Sequence, residues 1–312
     1  MRVNVAHTTS SSPWLAWFFV TVWGSGYLAT KVGLQYAPPF TFLTLRFAFG
    51  VLLVLPLALL ARPVWPRGRL LGHVVVAGLL MHAVNLGGSH YAQYLGMSAG
   101  VAALILALQP LVTAMIAAPL LAERLRPPQW LGVVLGLLGV ALVVWHKVDV
   151  RALAWPALLA VTIALAAITA GTLYQRRFCP AVDLRAAGVV QFVASLVMLA
   201  PLAVVVEGFA FSPTWPLAGS IVFLVVFASI FAVNALHTLM RRGQATRVTS
   251  LLYLTPIIAV ALEWAMFGVR PTLLTVLGIA VTCAGVALVA MAHRPQPALP
   301  ASMAARGDGA AR

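Results

Sequence analysis

Apolar residues in this chain fall into long runs, broken at short intervals by proline, glycine or charge. The runs cover Pro13–Leu34, Pro39–Ala61, Leu70–Tyr91, Ala99–Leu121, Trp130–Trp145, Ala154–Leu173, Ala186–Val206, Leu217–Met240, Thr246–Phe267 and Thr272–Ala292. Most reach the roughly 20 residues that a helix needs to cross the hydrocarbon core of a bilayer. The gaps carry helix breakers, as in Ala37-Pro38-Pro39 and Leu125-Arg126-Pro127-Pro128. The pattern predicts an all-α membrane protein of about ten transmembrane helices, the fifth short and the third grading into polar residues.

The runs repeat. At an offset of 146, Pro110 falls on Pro256, Arg124 on Arg270, Leu131-Gly132 on Leu277-Gly278, and Gly139-Val140-Ala141-Leu142-Val143 on Gly285-Val286-Ala287-Leu288-Val289. Nearby offsets place Ala83-Val84-Asn85 on Ala232-Val233-Asn234, and Arg46-Phe47 on Gln191-Phe192. The chain therefore divides into a five-helix unit over 13–147, a second over 152–292, and a Pro/Ala-rich tail over 293–312 that reads as disordered. Five is odd, so two copies in one chain enter the membrane from opposite sides. Inverted repeats of this kind build a central site at their interface and work it by alternating access.

Composition fits that picture. Of 312 residues, 62% are hydrophobic and 8% charged, too few charges to cover the surface of a soluble domain. The lipid bilayer is the expected partner. A net charge of +14 raises the question of nucleic acid, but the cations stand at segment ends rather than on one basic face. Fifteen flank one set of ends, among them Arg62, Arg67 and Arg69, and only Lys31, Lys147, Arg151 and Arg270 flank the other, with Arg46 inside a span. That bias predicts both termini in the cytoplasm, and no nucleic-acid partner. Tryptophans near segment ends, Trp14, Trp130, Trp155, Trp215 and Trp264 among them, suit interfacial belts. Cys179 and Cys283 lie far apart without ligand spacing, so neither a disulfide nor a metal site is expected. No phosphate loop and no cofactor motif is present.

Polar residues inside the runs are the candidates for chemistry, because such groups usually face a bundle interior. His82, Asn85 and Ser89 share one face of the third run, and Asn234, His237 and Thr238 cluster on the eighth. Together they suit opposite walls of a cavity. Gln109 and Thr255 precede Pro110 and Pro256, the candidate hinges or kinks. Trp23, Tyr27 and Tyr253 either stack on a substrate or pack against neighbours. Glu263, the only acid inside a run, is the candidate for coupling to a proton, or else reaches the interface beside Trp264. Arg46 either binds a substrate carboxylate or holds the repeats together, the second being favoured. Gly132, Gly136 and Gly139, with Gly278, Thr282 and Gly285, form small-residue faces that predict close packing of the fifth and tenth helices.

Val22-Trp23-Gly24-Ser25-Gly26-Tyr27, Leu45-Arg46-Phe47, Leu108-Gln109-Pro110-Leu111, Leu121-Ala122-Glu123-Arg124 and Tyr253-Leu254-Thr255-Pro256-Ile257 resemble the EamA family of the drug/metabolite transporter superfamily, over roughly residues 14 to 291. The family's Gly-Glu stands here as Ala122-Glu123, and Val269 replaces the acid in the second half. The resemblance implies a ten-helix carrier of the bacterial inner membrane that exports a small metabolite such as an amino acid, as a monomer or homodimer. A channel or a non-transporting receptor is the alternative. An intramembrane enzyme would need paired carboxylates, a metal motif or a nucleophile with its base, none of which the runs offer.

Overall fold

A computed structural model describes residues 13–120, 127–149, 155–232, 235, 238, 239 and 254–292. Every element within them is helical: α1 (Pro13–Gly33), α2 (Pro39–Ala61), α3 (Gly68–Gly78), α4 (Asn85–Tyr94), α5 (Ala99–Leu106), α6 (Gln109–Leu120), α7 (Pro127–Asp149), α8 (Trp155–Phe178), α9 (Leu184–Glu207), α10 (Trp215–Val222), α11 (Thr255–Phe267) and α12 (Leu273–Ala292). Among the described residues, six stretches are long and apolar enough to cross a membrane: Pro39–Ala61, Gly68–Tyr94, Ala99–Ile116, Pro127–Val144, Trp155–Phe178 and Leu184–Glu207. Shorter apolar helices occupy Trp215–Phe231, Thr255–Phe267 and Leu273–Val289. Exposed tryptophans open α7, α8 and α10, at Trp130, Trp155 and Trp215.

The fourth run, predicted as one helix, is broken. The ring of Pro110 clashes with the carbonyl four residues back and brings no N–H, so α5 ends at Leu106 and α6 restarts at Gln109. A tight turn bridges them, with Leu108 N–H on the Ile105 carbonyl at 3.1 Å. Pro110 then occupies the first turn of α6, where its missing donor costs nothing. Thr255-Pro256 likewise opens α11 rather than interrupting it, after a turn at Leu254.

Two segments widen into π-helix, Leu79–Val84 between α3 and α4 and Phe223–Phe231 after α10. The first ends next to Asn85 and the second next to Ala232. Wide turns of this kind gather at functional sites.

The helices pack as pairs: α2 on α9, α4 on α8, α5 on α11, α7 on α12, with α1 against α10 and α11. The tightest approach is α7 on α12. A Cβ on Gly132 would meet the Gly285 carbonyl at 2.5 Å, and one on Gly139 the Gly278 carbonyl at 2.5 Å. The converse also holds, Gly285 onto Gly132 at 2.5 Å and Gly278 onto Gly139 at 2.6 Å. The small-residue faces read from the sequence therefore touch backbone to backbone. The largest core cluster, including Leu104, Leu108, Leu111, Val133, Val143, Val161, Ile279 and Val286, lies between α5, α7, α8 and α12.

Candidate functional site

The polar side chains inside the bundle form two groups. The first closes one end. Glu263, 2% exposed, meets Lys31 of α1 at 2.5 Å and accepts the Ala99 and Gly100 N–H groups at 3.2 and 3.1 Å. Those amides open α5, where Ser98 adds a second cap by accepting from Val101 N–H at 3.3 Å. A carboxylate at a helix N-terminus satisfies orphan donors and complements the helix dipole. Lys31 also lies over the Phe267 ring, 4.6 Å from its centroid. At the same end Glu207, closing α9, accepts from Phe40 N–H at 3.0 Å, Thr41 N–H at 2.7 Å and the Thr41 hydroxyl at 2.8 Å. One carboxylate thus caps α5 and the other caps α2.

The second group lies deeper and converges on α8. Gln109 Nε2 donates to the Thr172 hydroxyl at 3.1 Å, and that hydroxyl donates to the Ile168 carbonyl at 2.7 Å. His82 Nε2 lies 3.2 Å from Gln191 Oε1, and Gln191 Nε2 donates to Gln175 Oε1 at 3.0 Å. The edges of the Phe47 and Phe192 rings hold the His82 ring in place. Thr169, Thr172 and Gln175 recur every third residue, so they form one stripe along α8. Onto it come Gln109 from α6, and His82 from the π-turn by way of Gln191 on α9.

Several groups of this interior are unspent. Asn85 donates to the Met81 carbonyl at 3.1 Å, but among the described residues its buried Oδ1 has no partner, and neither has the hydroxyl of Thr169 or Thr255. A buried polar atom without a hydrogen bond is uncommon, because its desolvation is uncompensated.

Of the residues singled out in the sequence, His82, Gln109 and Asn85 lie in this interior, and Thr255 is buried with its hydroxyl free. Trp23 is 37% exposed and leans on Phe19. Asn234, His237 and Tyr253 lie outside the described residues. Gln175, Thr172, Thr169 and Glu207 were not singled out. The sixth run was ended at Leu173 and the seventh at Val206, which left Gln175 and Glu207 in the gaps. Two recesses lie elsewhere. One of about 390 Å³ is apolar, between Phe40, Tyr91, Leu159, Ile163, Met198 and Leu202. The other, about 330 Å³, sits at the closed end beside Tyr36, Tyr94 and Phe211.

The EamA-like transporter family matches this chain twice, over residues 12–145 and 154–291. The chain belongs to this family. Family membership makes it a membrane transporter by type. Among relatives, the uncharacterized inner membrane transporter YedA of Escherichia coli is 27% identical over 89% of this chain and 90% of its own length. A probable amino-acid metabolite efflux pump of the same organism is 28% identical, over 85% and 89%. An uncharacterized transporter of Archaeoglobus fulgidus is 25% identical over 86% and 95%. A solved crystal structure superposes with a TM-score of 0.63 at 20% identity, covering 89% of this chain and 96% of that one, and so shares the fold.

Proposed function

We propose that this EamA-family chain is a secondary transporter of the inner membrane that moves a small, amino-acid-like metabolite outward by alternating access. It does so through about ten spans arranged as two inverted halves, with both termini in the cytoplasm. The observation that carries the reading is unspent polarity inside the bundle: among the described residues, Asn85 Oδ1 and the Thr169 and Thr255 hydroxyls are buried without partners. Lipid cannot satisfy them, and a polar solute passing through can. The reciprocal contacts of α7 and α12 support the inverted repeat. Gly132 meets Gly285, the mate of Gly139, while Gly139 meets Gly278, the mate of Gly132. A twofold axis generates such exchange. The two family matches and the paired π-turns support it too.

The relatives' names favour amino-acid metabolites and efflux as the first substrates to try. If coupling is to a proton, Glu263 is the carboxylate through which it acts, since protonation removes the charge that holds Lys31. The test is counterflow in proteoliposomes: saturable, competable exchange of labelled amino acids is expected. Linear, non-saturating flux would favour a channel, and binding without flux a receptor.

A further inference from the structure

Arg46 lies about 10 Å along α2 from its N-terminus at 1.5 Å per residue, well inside a span. Among the described residues no carboxylate pairs with it and no hydrogen bond engages it. No described contact gives it the role of holding the repeats together that the sequence favoured. A guanidinium held in a membrane helix is costly and keeps its charge, so an unengaged one calls for a reason.

Its surroundings supply one. Arg46 keeps part of its surface accessible. On either side of Arg46 along α2, Phe42 and Phe47 meet the rings of His90 and His82, with centroids 5.8 and 6.1 Å apart, so this stretch of α2 lies against the helix that carries both histidines. Between them along the same helix stands Asn85, 8% exposed, whose Oδ1 is an acceptor with no donor. The repeat-related position to Arg46 is Gln191, a neutral amide already bonded to His82 and Gln175. Five N–H donors in a planar fork fit a carboxylate in two parallel bonds, and a lone amide oxygen fits an N–H donor.

We propose that Arg46 is the receptor for the carboxylate of the transported metabolite, and that Asn85 Oδ1 accepts a hydrogen bond from its amino group. The proposal deepens the carrier reading and rests on it. It defines the substrate class as small molecules with a carboxylate beside an N–H donor, and it excludes amines and amides that lack the acid.

Thermal stability of the purified full chain tests it, with two probe mixtures: the standard amino acids, and their carboxamides. The acids are expected to raise the melting temperature of the wild type and the amides to leave it unchanged. Arg46→Met removes an unpaired charge, so its own melting temperature should equal or exceed that of the wild type, and the response to the acids should vanish. Arg46→Lys keeps the charge without the fork, and should need at least tenfold more of the acid mixture for half the shift. An equal response to amides, no response to either mixture, a retained response in Arg46→Met, or a marked drop in that variant's own stability would each overturn the assignment. Saturable counterflow of any solute by the Arg46→Met protein would show that the carrier reading survives even if the carboxylate receptor does not.

Discussion

The closed end of the bundle and its interior use polar groups in opposite ways. At the closed end, Glu207 and Glu263 each take up the first amides of a neighbouring helix, and Glu263 holds Lys31 as well. In the interior, among the described residues, Arg46, Asn85 Oδ1, Thr169 and Thr255 keep donors or acceptors in reserve, and toward the closed end only His90 Nδ1 and Gln93 Oε1 do so. Polar groups that are satisfied by the protein stabilise one arrangement of it. Polar groups that are not satisfied cost stability, and are tolerated where a solute has to be met. The difference separates structural from functional polarity without reference to any substrate.

Breaking the closed end should have the largest effect. Glu263→Ala strands a partly buried Lys31 and two helix-terminal amides, and removing one partner of a buried ion pair costs about 3–5 kcal/mol. Lys31 keeps 27% of its side-chain surface, which moves the expectation to the low end, about 3 kcal/mol. A clear fall in the melting temperature of the purified protein checks this. Glu263→Gln keeps an acceptor for the amides and should fall less. A wild-type melting temperature for Glu263→Ala would remove the distinction between the two regions.

In the interior the expected effect moves from stability to affinity. Asn85→Leu keeps approximate volume and suits a membrane helix, so the fold should persist. The lost hydrogen bonds should weaken substrate by about 1–3 kcal/mol, roughly tenfold to a hundredfold. Half-saturation of counterflow measures it once a transported solute is in hand. Unchanged affinity would make Asn85 a packing residue.

Much of the closed fold was legible in the sequence, because glycine and proline carry their own geometry. The spacing of Gly132 and Gly139 with Gly278 and Gly285 announced the α7–α12 contact, since nothing larger lets two backbones approach so closely. Pro110 announced a disturbance, though not that the helix would end and restart around it. The π-turns were not legible, for a wide turn leaves no mark in hydrophobic period. Gln175 and Glu207 were missed for a simpler reason: hydropathy ends a span at the first polar residues, whereas α8 and α9 run on to Phe178 and Glu207. Arg46 was visible, but whether it was bonded is a fact about neighbouring helices.

The smallest effects give the sharpest comparison, because one substitution can be made in both regions. Thr41 and Thr169 are each 0% exposed. The Thr41 hydroxyl donates to Glu207, whereas that of Thr169 has no partner. Changing threonine to valine replaces the hydroxyl by a methyl of similar shape. Thr41→Val gives up a hydrogen bond to a charged group and should lose about 1.5 kcal/mol of stability. Thr169→Val gives up nothing in the resting protein and relieves an uncompensated desolvation, so its stability should stay within about 0.5 kcal/mol of wild type or rise slightly. The sign of the difference matters more than its size. If Thr169→Val is the more damaging of the two, the α8 stripe is structural polarity like that of the closed end, and the site must be sought elsewhere. If Thr169→Val is stable but weakens counterflow, the hydroxyl acts only when a solute is present.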